Sequence, residues 1–356
     1  MPPRPPANLV IRPEKLGDLV AATPVFRAFK ESFPDQPLHL LVDEGCGTVV
    51  ERDPFVDRII RIPWRGRHRG ERPSWRSIVH TLRREGHYQR AAILYANLDG
   101  WNWASMLAGA RQIAQLGGTV SAKLLGHSCV LRRGHTDGLS ISELFLSVAG
   151  ALGATAPGGL PRLYLGEEER EAVRVRFPFL REPGNFFVHA FSVSTAPNLS
   201  PGAYFSLCRH LAGSGRRIYL IGTRAELEKA ALPSDPAIST ELVGALNLRE
   251  LMAACSHADL VIGGSSGIVH LASALGVPTL ALYCPHANHH LVWGPRGPWS
   301  KTLTVPAGLC RRLGAVDGPC QAPARCDLAF GFSHQQIMAA AEELMAARTA
   351  AMNLEK

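Results

Sequence analysis

The stretch "RPEKLGDLVAATP" puts Asp18 directly after Gly17, at the opening of a helical pattern that follows a short apolar run. A carboxylate in the first turn of a helix is favoured by the helix dipole, which is reason enough for it to be there. The same carboxylate could act as a general base. A hydroxyl attacking an activated carbon must lose its proton, and a positioned carboxylate can take it. Arg12 and Lys15, close by in sequence, are candidates to hold an acceptor anion.

A second stretch, "VIGGSSGIVHLASALGVP" (261–278), reads as strand, turn and helix. Its glycines let the backbone turn sharply and approach a ligand. Ser265, Ser266 and Gly267 then offer hydroxyls and N–H groups at a helix N-terminus, where unpaired donors and the dipole both favour an anion. A serine-capped helix with no ligand has the same pattern. The turn is neither a Walker loop nor a G-x-G-x-x-G fingerprint. A third turn, in "HAFSVSTAPNLSP" (189–201), carries Ser194, Thr195 and Asn198 as donors between a strand and a helix; an ordinary polar loop would look alike.

There are eight cysteines. Cys46, Cys129, Cys208 and Cys255 stand singly in apolar or helical contexts and read as buried small hydrophobes. Cys310, Cys320 and Cys326 are spaced C-x9-C-x5-C, which is not a standard zinc pattern. Structural thiols are the first reading, with a metal or a disulfide as alternatives, and no metal site is assigned.

These residues need a scaffold that brings turns together. "ANLVIR" (7–12) and "LHLLVD" (38–43) read as buried strands around a helix over 17–34 that Pro34 ends. Further strands are expected at "VDRIIRI" (56–62) and "RAAILYA" (90–96), and a helix at "SISELFLSVAGALG" (140–153), where Ser140 and Glu143 form a capping box. A second alternating series begins at "NFFVHA" (185–190) and runs through "DLVIGG" (259–264) to "PTLALYC" (278–284). Such alternation argues for parallel sheets with right-handed crossovers. The expected fold is α/β, with two doubly wound Rossmann-like domains facing a cleft onto which the glycine-bearing turns open. Domains are expected at 1–180 and 181–332, with the linker at 180–185. A C-terminal helix, 333–356, is expected to pack back toward the first domain.

The 356 residues, 46% hydrophobic and 19% charged, describe a globular chain long enough for two domains. No apolar run is long enough to span a membrane and no signal sequence is evident, so a cytoplasmic protein is expected. The net charge of +8 favours an anionic partner. Residues 61–90 carry nine Arg against two Glu. This segment, with Arg65 and Arg67, is either a solvated face or a dock for a phosphorylated acceptor or lipid surface. Nucleic acid is not expected, since no zinc-finger or RNA-binding signature is present.

Taken together the residues resemble the bacterial ADP-heptose glycosyltransferases, the heptosyltransferase family of lipopolysaccharide inner-core synthesis. "IRPEKLGDLVAATPVFRAFKESFPD" looks like the family's N-terminal signature, and "LVGALNLRELMAACSHADLVIGGSSGIVHLASALGVPTLALY" like its donor-binding block. "WGPRG" (293–297) fits as well. The resemblance implies a GT-B arrangement, an inverting transfer without a catalytic metal or other cofactor, and an ADP-sugar as co-substrate. It places Asp18 as base. Arg12, Lys15, Gly17, Arg65 and Arg67 are the candidates for the acceptor side. Gly222, Thr223 and Glu226 fall at the donor ribose, Leu246 near the adenine, and Ser266, Gly267 and His270 around the diphosphate. Two positions depart: Ser265 stands where the family has Asp, and Asn198 where it has Lys. Arg224, Arg296, His286, His289 or His290 are candidates to replace the missing cation. The acceptor implied is lipopolysaccharide core, with peripheral association to the inner membrane. A soluble natural-product or nucleoside acceptor is the alternative, as is a nucleotide-sugar binder that has lost catalysis.

Overall fold

The computed structural model describes residues 6–64, 73–94, 98–117, 120–125, 127–130, 138–191, 198–283, 289–304 and 331–354. The chain divides into two compact units between Tyr164 and Leu165.

In the first unit, strands β1 (Ala7–Arg12), β2 (Leu38–Asp43), β3 (Arg58–Ile62), β4 (Tyr88–Ile93), β5 (Gln112–Leu116) and β6 (Ser128–Val130) form one parallel sheet in the order β3-β2-β1-β4-β5-β6. Register follows burial: Val10 lies opposite Leu40 on one side and Ala92 on the other, all fully buried. The chain leaves β1 in one direction and β4 in the other, so the crevice for a ligand lies beyond the carboxyl ends of these two strands.

The helix expected over 17–34 is two helices, α1 (Leu16–Ala21) and α2 (Thr23–Ser32). Pro24 causes the break. It has no N–H to donate and is tolerated in a first turn, so the helix restarts there. The Thr23 hydroxyl donates to the Val20 carbonyl at 2.9 Å across the joint. The arginine-rich segment contributes α3 (Trp75–Glu85), capped by Ser74, whose hydroxyl accepts from the Ser77 N–H. It packs on α4 (Asp99–Leu107) through Trp64, Trp75 and Trp101, and Trp75 lies edge-on to Trp101 with ring centres 5.1 Å apart. Helix α5 (Val120–Leu124) follows, and α6 (Ile141–Gly150) begins at the expected capping box: Ser140 accepts from the Glu143 N–H, and the Glu143 carboxylate accepts from the Ser140 N–H at 2.7 Å.

The second unit opens on α7 (Glu167–Arg176), which precedes the linker expected at 180–185. Helix α7 belongs here because Glu169 takes a two-pronged bond from Arg249, at 2.8 and 2.6 Å, and Arg176 reaches Glu250 and the Ala245 carbonyl, each at 2.8 Å. The stretch 180–185 is the tight approach to β7 (Asn185–His189), where the Asp259 carboxylate accepts from the Gly184 and Asn185 N–H groups.

After β7 come α8 (Pro201–Gly213), β8 (Arg217–Leu220), α9 (Arg224–Ala230), β9 (Ile238–Ser239), α10 (Leu248–Cys255), β10 (Leu260–Gly263), α11 (Gly267–Ala274), β11 (Thr279–Tyr283), α12 (His289–Trp293) and β12 (Ser300–Thr304). The sheet is again parallel, in the order β12-β11-β10-β7-β8-β9. This is the same winding as in the first unit, with the crevice now beyond β7 and β10. The last helix, α13 (His334–Leu354), buries Ile337, Ala340, Ala341 and Leu344 in the core of this unit, beside Leu211 and Leu280. Among the described residues no helix is long and apolar enough to cross a membrane.

Candidate functional site

The crevice of the first unit is organised by Arg12, the last residue of β1. Its Nη1 donates to the Leu94 carbonyl, just past β4, at 2.7 Å, and its Nη2 pairs with Asp18 Oδ2 in the first turn of α1. Arginine and carboxylate are both less than a tenth exposed, and the guanidinium lies 5.6 Å from the centre of the Phe145 ring. Arg12, expected as an acceptor-anion ligand, has both terminal nitrogens engaged within the unit. Its charge is paired with Asp18, and its fork ties the ends of the two central strands together. Removing one partner of such a buried pair strands the other charge, which costs about 3–5 kcal/mol.

Lys15 is exposed and has a positive φ of 65°, a conformation costly for a residue with a Cβ and most often found at sites that need a fixed loop. Gly17 lies inside α1, between this lysine and Asp18. Cys46 lies near enough to feel Arg12 and Asp18; burial, aided by Asp43, pushes its thiol up to about 11. It is a protonated, unreactive group at neutral pH. Cys208 and Cys255 are fully buried, as expected of small hydrophobes, and their thiols are pushed up to about 12. Arg65 and Arg67 lie outside the described residues.

The crevice of the second unit brings together residues far apart in sequence. Gly263, ending β10, is in register with His189, ending β7. The Asn198 side chain lies over Gly264, where a Cβ would collide with its carboxamide. Glycine is required there because Asn198 occupies the space of a side chain. The carboxamide is fixed by two donors: the Tyr204 hydroxyl and the Leu199 N–H each reach Oδ1 at 3.0 Å. Tyr204 is fully buried, and burial holds its hydroxyl protonated, far above the usual tyrosine range.

Ser266 is the N-cap of α11, with extended backbone angles but no side-chain cap. Its hydroxyl oxygen is buried without a hydrogen-bond partner among the described residues. The first turn of α11 also holds no acidic side chain. Helix N-terminal donors with neither a cap nor a carboxylate beside them suit an anion. Ser265 and Gly267 flank this position, half-buried, and His270 is buried one turn into the helix.

Gly222, Thr223 and Glu226 meet at the end of β8. Thr223 and Glu226 form a capping box in which Glu226 Oε2 accepts from the Thr223 N–H and hydroxyl, both at 2.8 Å. Capping alone accounts for their spacing. The Phe191 ring leaves no room for a side chain at Gly222. Leu246 is half-buried, next to the Asn247 cap of α10. The "WGPRG" turn is a packing device: the Tyr283 hydroxyl donates to the Trp293 carbonyl at 2.8 Å, and a Cβ at Gly297 would strike Ser273 of α11. Arg296 of this turn donates to the Leu291 carbonyl at 3.2 Å. Ser194, Thr195, His286, Cys310, Cys320 and Cys326 lie outside the described residues. Among the described residues, no group of three or more His, Cys, Asp or Glu side chains could hold a metal ion.

Sequence reasoning missed Tyr204 and His189. Tyr204 shows only as one aromatic residue in a helix. His189 is fully enclosed, its Nδ1 has no hydrogen-bond partner among the described residues, and burial pushes it down to about 4, against a weaker opposing pull from Glu226. The unfolded chain therefore binds a proton from pH 6.5 downward that the folded chain refuses until about pH 4. Stability contributed by neutral His189 is complete above pH 6.5 and falls away toward pH 4, by about 3 kcal/mol in all. His189→Gln is expected to remove that part of the pH dependence in urea unfolding followed over this range. An unchanged slope would show that His189 is not held neutral.

Comparison with known proteins follows this geometry. Residues 148–308 match the model of glycosyltransferase family 9 (heptosyltransferase). Lipopolysaccharide heptosyltransferase 2 of Salmonella typhimurium is 25% identical over 306 residues, covering 78% of this chain and 82% of that protein. The glycosyl transferase family 9 structure from Veillonella parvula superposes with a TM-score of 0.76 at 18% identity, covering 97% of this chain and 99% of the other. The ADP-heptose heptosyltransferase II of E. coli superposes with a TM-score of 0.72 at 20% identity, covering 96% and 99%. The resemblance carried by the sequence is thus matched by the comparisons, and the fold is that of the GT-B heptosyltransferases.

Proposed function

We propose that this protein is an inverting glycosyltransferase that moves a heptose from ADP-heptose to an acceptor hydroxyl of the lipopolysaccharide inner core. The second unit binds the donor, with the diphosphate at the uncapped N-terminus of α11 beside Ser266 and Asn198, and with the ribose near Glu226. The first unit binds the acceptor, with Asp18 as base. The acceptor oxygen attacks the anomeric carbon, Asp18 takes its proton, and the bond to ADP breaks on the opposite face. The departing charge is met by the N–H groups of α11. No resident metal is required in this scheme, and the work is done on the cytoplasmic side of the membrane. The observation that carries the reading is the buried Ser266 hydroxyl, without a hydrogen-bond partner among the described residues, at the uncapped start of α11 within the segment that matches the family model.

Calorimetry across ADP, UDP, GDP and ADP-heptose tests it. Adenine nucleotides are expected to bind selectively, and ADP-heptose with a lipopolysaccharide-core acceptor to release ADP. Equal affinity for all nucleotides, or none, overturns the donor assignment. A second reading, a nucleotide-sugar binder without turnover, is favoured by one observation: Asn198, lacking the family's lysine charge, is locked onto Tyr204. It predicts ADP-heptose binding without ADP release from any acceptor, soluble ones included.

A further inference from the structure

The first unit has an apolar surface that its core does not use. On α4, Asp99, Trp103 and Leu107 recur every four residues and so share one stripe of the helix. Trp103 is 43% exposed and Leu107 49% exposed. Helix α5 starts alongside this stripe, because the Asp99 carboxylate accepts from the Ser121 N–H at 2.9 Å and the Ser121 hydroxyl at 2.5 Å. Asn102 adds a bond to the same hydroxyl at 3.3 Å. On α5, Val120 and Leu124 point outward, 67% and 77% exposed. Four large apolar side chains are thereby grouped on two joined helices. In the second unit Val175 and Leu291 stand singly, and Met352 and Leu354 lie at the end of the last helix.

Exposed basic side chains flank the group. Arg83 of α3 donates to the Leu107 carbonyl at 2.9 Å, which fixes a guanidinium at one end of the stripe. Lys123 lies exposed between Val120 and Leu124, and Arg111 lies exposed just past α4. The single acid on α4 and α5 is Asp99, and its carboxylate is engaged by Ser121. Exposed apolar patches mark interaction surfaces. A tryptophan and leucines rimmed by Arg and Lys match the interface of an anionic bilayer, where the ring sits at headgroup level and the cations meet lipid phosphates.

We infer that the α4–α5 face docks this protein onto an anionic membrane leaflet, with Trp103, Leu107, Val120 and Leu124 entering the headgroup boundary and Arg83, Arg111 and Lys123 meeting the lipid charges. This deepens the lipid-linked acceptor reading and rests on it for its purpose, but it is tested without turnover.

The test is co-flotation with vesicles of phosphatidylcholine alone or mixed with phosphatidylglycerol. The unaltered protein is expected to float with the anionic vesicles and hardly with the neutral ones. Leu107→Ser with Leu124→Ser, both at exposed positions, should weaken partitioning on the order of tenfold or more. Lys123→Glu with Arg111→Glu should weaken it only on anionic vesicles. ADP binding should be unchanged in all of these variants. No flotation of the unaltered protein, or equal flotation of the serine variant, overturns the docking proposal. So does a concentration-dependent dimer, seen by sedimentation without lipid, that the serine variant abolishes, because the face would then be covered by a second copy. Flotation that survives alongside a failure of nucleotide selectivity would remove the transferase reading and leave the docking face standing.

Discussion

Replacing Asp18 by asparagine is expected to lower turnover by about 10²–10⁴ while the protein stays folded. Asparagine keeps an oxygen that can accept from Arg12 but cannot take a proton from the attacking hydroxyl. The structure sharpens this expectation in two ways. First, Oδ2 faces the Arg12 guanidinium, so a base role falls to the other oxygen, and the arginine acts as its orienter. Second, Arg12 is buried and also holds the Leu94 carbonyl just past β4, so losing its counter-charge destabilises the unit by about 3 kcal/mol. Rate and stability must therefore be read separately. Turnover is measured well below the melting temperature, with circular dichroism confirming the fold and titration giving donor affinity. A fall in rate with ADP-heptose affinity within about twofold of the original assigns proton transfer to Asp18. A melting temperature lowered with turnover per folded molecule unchanged would make the pair a structural tie and sink the assignment.

The sequence displayed the scaffold better than the contacts. β1 and the α6 capping box were legible because burial and capping are local patterns: "ANLVIR" is wholly buried and Ser140–Glu143 bond as their spacing implies. The break at Ala22 was misread because apolar spacing continues through Pro24, and proline permits a new first turn as readily as it ends an old one. α3 went unread as a helix because arginines obscure its narrow apolar face of Ile78 and Leu82. The domain boundary was misplaced because Pro183 and Gly184 look like a linker, while α7 is held to the second unit by Glu169–Arg249, a pair eighty positions apart.

The candidate site divides in the same way. Asp18 and the turn at Ser266 announce themselves through local features, a carboxylate in a first turn and a glycine-serine run before a helix. Arg12 does not, because nothing in "IRPEK" reveals that its charge is neutralised six residues later and its fork tied across the sheet to Leu94. Thr223 and Glu226 carry the opposite lesson. A role inferred from family position coincides with a capping box that alone explains their spacing, so only nucleotide binding can separate the two.

Asn198→Lys is expected to tighten ADP binding by about 10- to 100-fold and to lower stability by about 1–3 kcal/mol. The gain follows from position. Asn198 lies over Gly264, two residues before the uncapped Ser266, so an ammonium there would add a charge-assisted bond to a diphosphate held by α11. The loss follows from Tyr204. Its buried hydroxyl donates to the Asn198 oxygen, and lysine has no acceptor to offer. The two effects are separable. Tyr204→Phe in the lysine background removes the orphaned hydroxyl and should restore most of the stability without changing ADP affinity. Titration calorimetry and urea unfolding on the single and double variants give both readings. If lysine leaves ADP affinity unchanged, residue 198 does not meet the diphosphate and the asparagine is there for Tyr204 alone. If affinity rises and turnover rises with it, the missing cation had been limiting the departure of ADP, and the reading as a binder without catalysis is excluded.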